Sequence, residues 1–599
     1  MQEYTTPGEM TVSREENLTE ALWAAGREHP QRPALSHRVG GQFVDWSTRQ
    51  FVDEVRAVAK GLMASGVGKD DRVCLFSGTR LEWTVLDFAI WAAGAVTVPI
   101  YETSSAGQVE WIVSDSQAVA IVIESPALKV IFDEVAPKLP ACEHVFVIDN
   151  GDLEDLKDRG ASISDEDLDA RAASVTGSDT ATIVYTSGTT GRPKGCVISH
   201  YSFVWDAEQV AEAAKEFFQP GKRTLLFLPL AHIFARVIQT TCVRNGVRLG
   251  FSTGIPQLIE ELGMFKPDFL LAVPRVFEKV FNGAQQKAHA EGKGAIFDKA
   301  AQVAEDFSRQ QADGNVKIGT RVLHAAFDKL VYVKLRNAMG GQVRHAVSGG
   351  AALGERLGHF FNGIGIMVLE GYGLTETTAG ACLNVPSAVR IGTVGRPVPG
   401  ASVRIAEDGE ILLKGGHVFD GYYNNPEATA EVVTGDGWFH TGDIGQLDSD
   451  GFVRITGRKK EIIVTAGGKN VAPAVLEDRM RAHPLVSQTM VVGDDKPFIS
   501  ALVTVDPEAF ETWAADHDKS GKTVADLVDD EELRAAIQTA VDDANSAVSK
   551  AESVRTFRVL PDDFTVGEEL SQKMSVKRHV VSEKYADVIA DIYSGTKKS

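Results

Sequence analysis

Residues 183–195 read IVYTSGTTGRPKG. The opening β-branched and aromatic residues read as the end of a buried strand. Serine, threonine and glycine follow in close succession, and Lys194 stands behind Pro193. A glycine-rich loop after a strand suits phosphates. Glycine lets backbone N–H groups approach the oxygens, while hydroxyls and a lysine add donors and charge. A Walker A loop needs glycine, four residues, then Gly-Lys-Ser/Thr opening a helix. Here Pro193 biases Arg192 away from the α region, and Gly195 is a poor helix former. The stretch predicts a mobile, hydroxyl-rich flap closing over a triphosphate. A surface turn is the plainer alternative.

On either side, strand and helix patterns alternate. RVCLFSG, VTVPIY, AVAIVIES, HVFVIDN and TATIVYT read as strands, and LTEALWAAG and LEWTVLDFAIWAAGA as helices. That order predicts an α/β fold with mainly parallel sheets and helices on their faces. Residues 284–316 are charged and alanine-rich and read as an exposed helical element. From about Gly392 glycines become frequent and strands short, which predicts a small β-rich subdomain over 392–457. After Gly457 the texture restarts, so residues 458–599 are expected to form a small α+β domain behind a charged hinge. Residues 1–457 form the large domain.

With 599 residues, two or more domains are expected. The net charge of −21 argues against broad nucleic-acid binding. Cys74, Cys142, Cys196, Cys242 and Cys382 lie far apart with no CxxC pair, so neither a zinc site nor a disulfide framework is suggested. The polar N-terminus is no signal peptide. The longest apolar run, FAIWAAGAVTVPIY, is too short to span a bilayer. A cytoplasmic protein is expected. Peripheral membrane contact and a homodimer stay open, although no basic amphipathic helix stands out.

YTSGTTGRPKG resembles the signature loop of the adenylate-forming, or AMP-binding, superfamily. Further motifs follow in that family's order: LPLAHIFAR (228–236), SGGAAL (348–353), GYGLTETT (371–378), GWFHTGDIG (437–445) and GRKKEIIVTAGGKNVAP (457–473). KPDFLLAVPRVFEKV (266–280) and the wording KKEIIVTAGGKNVAP are most similar to the long-chain fatty-acyl-CoA synthetase branch. The resemblance implies ATP-dependent conversion of a fatty acid to acyl-AMP, then transfer to coenzyme A. Several negative charges meet in the first step, so the site must supply magnesium and hydrogen-bond donors.

By the same resemblance, Thr186, Ser187, Gly188, Thr189, Thr190 and Lys194 contact the β- and γ-phosphates. Glu376 holds magnesium with Thr189 close by. One glutamate plus water and phosphate suits that ion. The plainer reading of Thr375 and Glu376 is a helix start. Tyr372 stacks on adenine, with Gly349, Gly350 and Ala351 leaving room at the ring's edge, or is simply a core aromatic. Asp443 accepts from both ribose hydroxyls, unless it is only a turn residue. Arg458 reaches ribose or α-phosphate. His232 and Phe234 lie where the acyl and ATP sites meet, although a histidine among apolar residues is often structural. Lys460 falls at the hinge about which the small domain swivels between half-reactions. In the second state of that swivel, Gly467 and Gly468 line the pantetheine tunnel, where only glycine permits close approach.

One departure stands out. The family's adenylation lysine sits in a pattern resembling Leu-Thr-Pro-x-x-Lys-x-Lys-Arg, and this chain reads LSQKMSVKR from Leu570. Aligned through Lys577-Arg578, the catalytic position is Ser575, which carries no charge. Three readings follow: Lys573 or Lys577 substitutes, one state is trapped, or adenylation is slow. Lys573 is the working choice. In an extended segment 573, 575 and 577 point the same way, and two positions span roughly 6.6 Å. Besides the CoA ligase, a fatty-acyl-AMP ligase loading a carrier protein and a catalytically impaired nucleotide- or lipid-binding homologue remain as alternatives.

Overall fold

The alternating pattern builds three sheets with parallel strands at their core, the smallest joining Arg223–Leu226, Arg248–Phe251 and Pro33–Val39 in parallel with Gln42–Ser47 antiparallel at its edge. The structure, a computed structural model, describes residues 2–8, 10–186, 192–571 and 574–594. In the largest sheet, Thr180–Thr186, Val96–Ile100, Arg72–Phe76, Ala120–Ile123 and His144–Val147 run parallel. Lys194–Ser199 and the two-residue strand Gly421–Tyr422 extend it antiparallel. Buried on both faces, the central strands are apolar almost throughout and rich in valine and isoleucine, as parallel sheets require. A second sheet joins Phe269–Ala272, His345–Ser348 and Met367–Tyr372 in parallel and ends in two short antiparallel strands.

The glycine-rich region forms a five-stranded antiparallel sheet from Ser402–Ile405, Glu410–Lys414, Phe439–Leu447 and Val453–Arg458, with Gln2–Thr5 at its edge. The N-terminal strand was not foreseen, and Gly421–Tyr422 leaves this region for the largest sheet. Beyond Arg458 lies a three-stranded sheet of Val486–Val492, Ile499–Val505 and Val554–Val559 with its own apolar core.

One expectation needs correction. Residues 284–316 are not simply an exposed element. Helix Gly294–Ala312 buries Phe297, Ala300, Ala301, Val303 and Ala304 and packs along helix Glu355–Gly363. Its alanines form the close-packing face, while its charges point outward and dominate the composition.

A buried ion pair ties the large domain together. Arg236, on helix Ile233–Arg244, donates from Nε and Nη2 to the Asp87 carboxylate at 3.1 and 2.6 Å. Its Nη1 donates to Thr182 Oγ1 at 2.6 Å, and that hydroxyl donates to Thr97 O at 2.6 Å. Gln239 Nε2 donates to Asp87 as well. Both charged side chains are fully buried. The guanidinium lies over the rings of Trp83, Trp91 and Phe203 at 5.3–5.5 Å. Removing one partner leaves an uncompensated buried charge, which costs about 3–5 kcal/mol. Arg236→Met is therefore expected to destabilise the large domain by about that much in urea unfolding. Adding Asp87→Leu to it should recover part of the loss, whereas a double variant as unstable as the sum of the singles would contradict the pairing.

Candidate active site

The 183–195 stretch is a hairpin, not a strand leading into a helix. Thr180–Thr186 pairs antiparallel with Lys194–Ser199, and Thr186 sits opposite Lys194. Ser187, Gly188, Thr189 and Thr190 lie outside the described residues. The return strand is clamped from one side. Trp111 Nε1 donates to Pro193 O at 2.9 Å, and Arg192 lies over the Trp111 ring at 4.7 Å. On the other side, the Lys194 ammonium lies over the Tyr422 ring at 4.9 Å. Tyr422 Oη donates to Glu376 Oε1 at 2.9 Å. One aromatic ring thus links the lysine and the carboxylate that the sequence marked separately. The only hint of Tyr422 was an aromatic pair after glycine in FDGYY.

Glu376 stands in a single 3₁₀ turn, Thr375–Thr377, not at the start of an α-helix. Leu374 N donates to Thr377 Oγ1, and Phe419 N donates to Glu376 O. These bonds set the turn against the strand that carries Tyr422.

Tyr372 ends strand Met367–Tyr372. Its ring packs with Ala381, Cys382, Val403, Ile411 and Leu413, yet it also lines the cavity described below. Its Oη donates to Asp443 Oδ2 at 2.6 Å, and Arg458 Nε meets Asp443 Oδ1 at 3.2 Å. Burial pushes the Asp443 carboxyl up, while Arg458 and the Tyr372 hydroxyl pull it down. The negative charge of Glu376 also raises it. Burial and the facing Asp443 charge hold the Tyr372 hydroxyl in its protonated, donating form.

Glu410 has no signal in AEDGEILL beyond a hairpin turn. It accepts from Gly442 N at 2.9 Å and Lys459 Nζ at 3.0 Å, and His440 Nδ1 lies 3.2 Å away. These contacts fix the HTGD segment and the start of the small domain against one another.

These groups converge. A cavity of about 2660 Å³ is lined by Thr186, Lys194, His232, Phe234, Gly349, Gly350, Ala351, Tyr372, Thr375, Glu376, Asp443, Arg458, Lys460 and Ser575. His232 caps helix Ile233–Arg244, its Nδ1 accepting from Phe234 N at 3.1 Å. A Cβ at Gly349 would stand in van der Waals contact with the Phe234 ring, at 3.4 Å. Gly350 has φ +84°, a conformation glycine adopts without strain.

Two expectations fare differently. Gly467 and Gly468 do not line this cavity. They form the turn between strands Ile463–Val464 and Asn470–Val471. Lys573 lies outside the described residues. Ser575 and Lys577 both reach the cavity wall, and Lys577 Nζ donates to Gly567 O at 2.7 Å. Arg578 pairs with Glu477 of the same small domain.

Comparison with known proteins fits this geometry. The model of the AMP-binding enzyme family matches residues 22–423, and that of the AMP-binding enzyme C-terminal domain matches residues 460–597. The long-chain-fatty-acid–CoA ligases FadD15 of Mycobacterium bovis and Mycobacterium tuberculosis are each 49% identical over 599 residues, covering 99% of this chain and all of theirs. The crystal structure of the anthranilate CoA ligase AuaEII in complex with anthranoyl-AMP superposes with a TM-score of 0.72 at 19% identity, covering 97% of this chain and 99% of that one. The chain belongs to the AMP-binding enzyme family.

Proposed function

We propose that this chain is an ATP-dependent long-chain fatty acid–CoA ligase acting in two half-reactions at the cavity. In the first, a fatty carboxylate oxygen attacks the α-phosphorus of ATP. A P–O bond forms, the bond to pyrophosphate breaks, and acyl-AMP remains. In the second, the thiolate of coenzyme A attacks the acyl carbonyl, and AMP leaves with the C–O bonding pair. The observation that carries this reading is the meeting of Lys194, Glu376 and Asp443 around one cavity. The near-relatives' activity gives the substrate class.

The side chains divide the work. Lys194, with the hydroxyls and backbone of Thr186, Ser187, Gly188, Thr189 and Thr190, donates to the β- and γ-phosphates and stabilises the departing pyrophosphate. Asp443, oriented by Tyr372 and Arg458, accepts from the ribose hydroxyls. Gly349, Gly350, Ala351 and the Tyr372 ring enclose the base. A magnesium ion would fit Glu376, whose carboxylate is a hard oxygen donor in the cavity wall. Phosphate, water and Thr189 complete such a site. When bound, the ion supplies positive charge against the phosphate oxygens.

The small domain, from about residue 458, swivels about Lys460. In the second state it brings Gly467 and Gly468 against the pantetheine arm.

Asp443→Asn removes a charge-assisted acceptor worth about 1.5–3 kcal/mol. It is expected to raise KM for ATP about 10- to 100-fold in acyl-CoA formation. Glu376→Gln should slow pyrophosphate exchange about 100- to 1000-fold. Wild-type kinetics in both variants would overturn the assignment.

The same exchange assay settles the missing lysine. Lys573 is the working candidate for the charge that Ser575 does not carry, and Lys577, whose Nζ donates to Gly567 O, is the second. Lys573→Ala should lower fatty-acid-dependent exchange at least about 100-fold, Lys577→Ala far less, and Ser575→Lys should not impair it. Unchanged exchange in both alanine variants would show that neither lysine supplies the charge.

A further inference from the structure

The stretch KPDFLLAVPRVFEKV (266–280) supplies none of the residues assigned above to the nucleotide. Its strand Phe269–Ala272 is fixed in the second sheet. Pro274 then opens helix Pro274–Ala290 at the first helical position, where its missing N–H costs nothing. Phe277 and Phe281 are buried and anchor that helix. Arg275 and Glu278, three positions apart on one face, project from a fixed base and line the cavity.

Arg275 reaches across the domain boundary. Its Nη2 donates to Asp506 Oδ2 of the small domain at 3.2 Å, and its Nη1 to Glu278 Oε2 at 3.2 Å. Asp506 is aimed by its own helix, because its Oδ1 accepts from Ala509 N at 3.1 Å and caps helix Pro507–Asp516. All three side chains are mostly buried, at 16–21% exposure. Beyond residues 458–460, this is the one ion pair between the two domains among the described residues.

A second arginine crosses beside it. Arg356, in the first turn of helix Glu355–Gly363, donates from Nη2 to Ala482 O at 3.0 Å, and its guanidinium lies over the Phe281 ring at 4.7 Å. Ala482 is the C-cap of helix Pro473–Arg481, where the helix dipole favours a cation. Glu305 and Glu278 of the large domain and Asp543 of the small one all act on the Arg356 charge. Glu278 thus serves both arginines.

These contacts lead to the loop that carries Ser575. Glu477, on helix Pro473–Arg481, pairs with Arg578, and Arg578 also donates to Val491 O. Arg578 follows the segment in which Ser575 and Lys577 reach the cavity wall, so a shift of the helix shifts the loop. In this arrangement Ser575 and Arg458 line the cavity together with Lys194 and Glu376.

We propose, resting on the ligase reading, that Arg275 and Arg356 form a catch that holds the small domain in the pose of the first half-reaction and opens before coenzyme A is used. Both are positioning residues, acting through Asp506 and Ala482 rather than on the reacting atoms. Domains in one chain move relative to each other unless their interface is large and apolar. A charge-assisted hydrogen bond shifts such an equilibrium by about 10-fold or more, which favours one pose and still releases it in turnover.

The test separates the half-reactions. The full chain and its variants Arg275→Met, Arg275→Lys and Asp506→Asn are compared in fatty-acid-dependent pyrophosphate exchange and in acyl-CoA formation from supplied oleoyl-AMP. Asparagine keeps the helix cap and loses the charge. Arg275→Met and Asp506→Asn are expected to lower pyrophosphate exchange about 10-fold, with the thermal midpoint unchanged and acyl-CoA formation from oleoyl-AMP at the wild-type rate or faster. Arg275→Lys should recover much of the loss. In the substrate-free chain, amide hydrogen exchange over residues 473–483 should rise in Arg275→Met and in Arg356→Met. An equal loss in both half-reactions, as a merely structural role would give, would overturn the catch. So would wild-type pyrophosphate exchange in both Arg275→Met and Asp506→Asn, or unchanged hydrogen exchange over 473–483 in both arginine-to-methionine variants. A wild-type chain that makes no acyl-AMP from any fatty acid would count against the ligase reading instead, and the hydrogen exchange then decides the catch alone.

Discussion

The guanidinium of Arg236 is the joint on which the site's geometry rests. It holds Asp87 on one helix and Thr182 on the strand that leads into the hydroxyl-rich loop. Its own helix begins with His232 and Phe234. A charge this deep would be costly alone, and it is tolerated because its hydrogen bonds and three aromatic faces replace water. The consequence is positional. The strand end presenting Thr186 and the aromatic wall presenting Phe234 are registered to one another by an interaction that tolerates little slack.

Around that joint the site is assembled from three separate sheets. Lys194 comes from the largest sheet, Tyr372 and Glu376 from the end of the second, and Asp443 and Arg458 from the antiparallel one. Two tyrosine hydroxyls span the seams: Tyr422 donates to Glu376 and Tyr372 donates to Asp443. Each donates toward a carboxylate and so keeps its proton, orienting the acid without neutralising it. Two negative groups can then stand near a polyanionic substrate with their directions fixed in advance.

Much of this was legible in the sequence. Pro193 and Gly195 ruled out a phosphate loop capped by a helix, and the chain indeed returns as a strand. The valine- and isoleucine-rich runs marked the parallel strands because burial on both faces leaves no polar alternation. Lys194, Glu376 and Asp443 were named from three motifs spread over some 250 positions and line one cavity. Tyr422 and Glu410 were hidden because their roles depend on tertiary neighbours: a two-residue strand crossing to another sheet, and a carboxylate caught between Gly442 and Lys459. The helix Gly294–Ala312 misled because small residues pack closely without raising apparent hydrophobicity.

The central claim is that the hairpin loop, Glu376 and Asp443 surround a single nucleotide. The most direct measurement is a crystal structure of the chain with a non-hydrolysable long-chain acyl-AMP analogue. The account predicts the ribose hydroxyls on the Asp443 carboxylate, the base against the wall of Gly349 to Ala351, and the acyl chain leaving past His232 and Phe234. A nucleotide bound elsewhere, with Asp443 still held only by Tyr372 and Arg458, would contradict it.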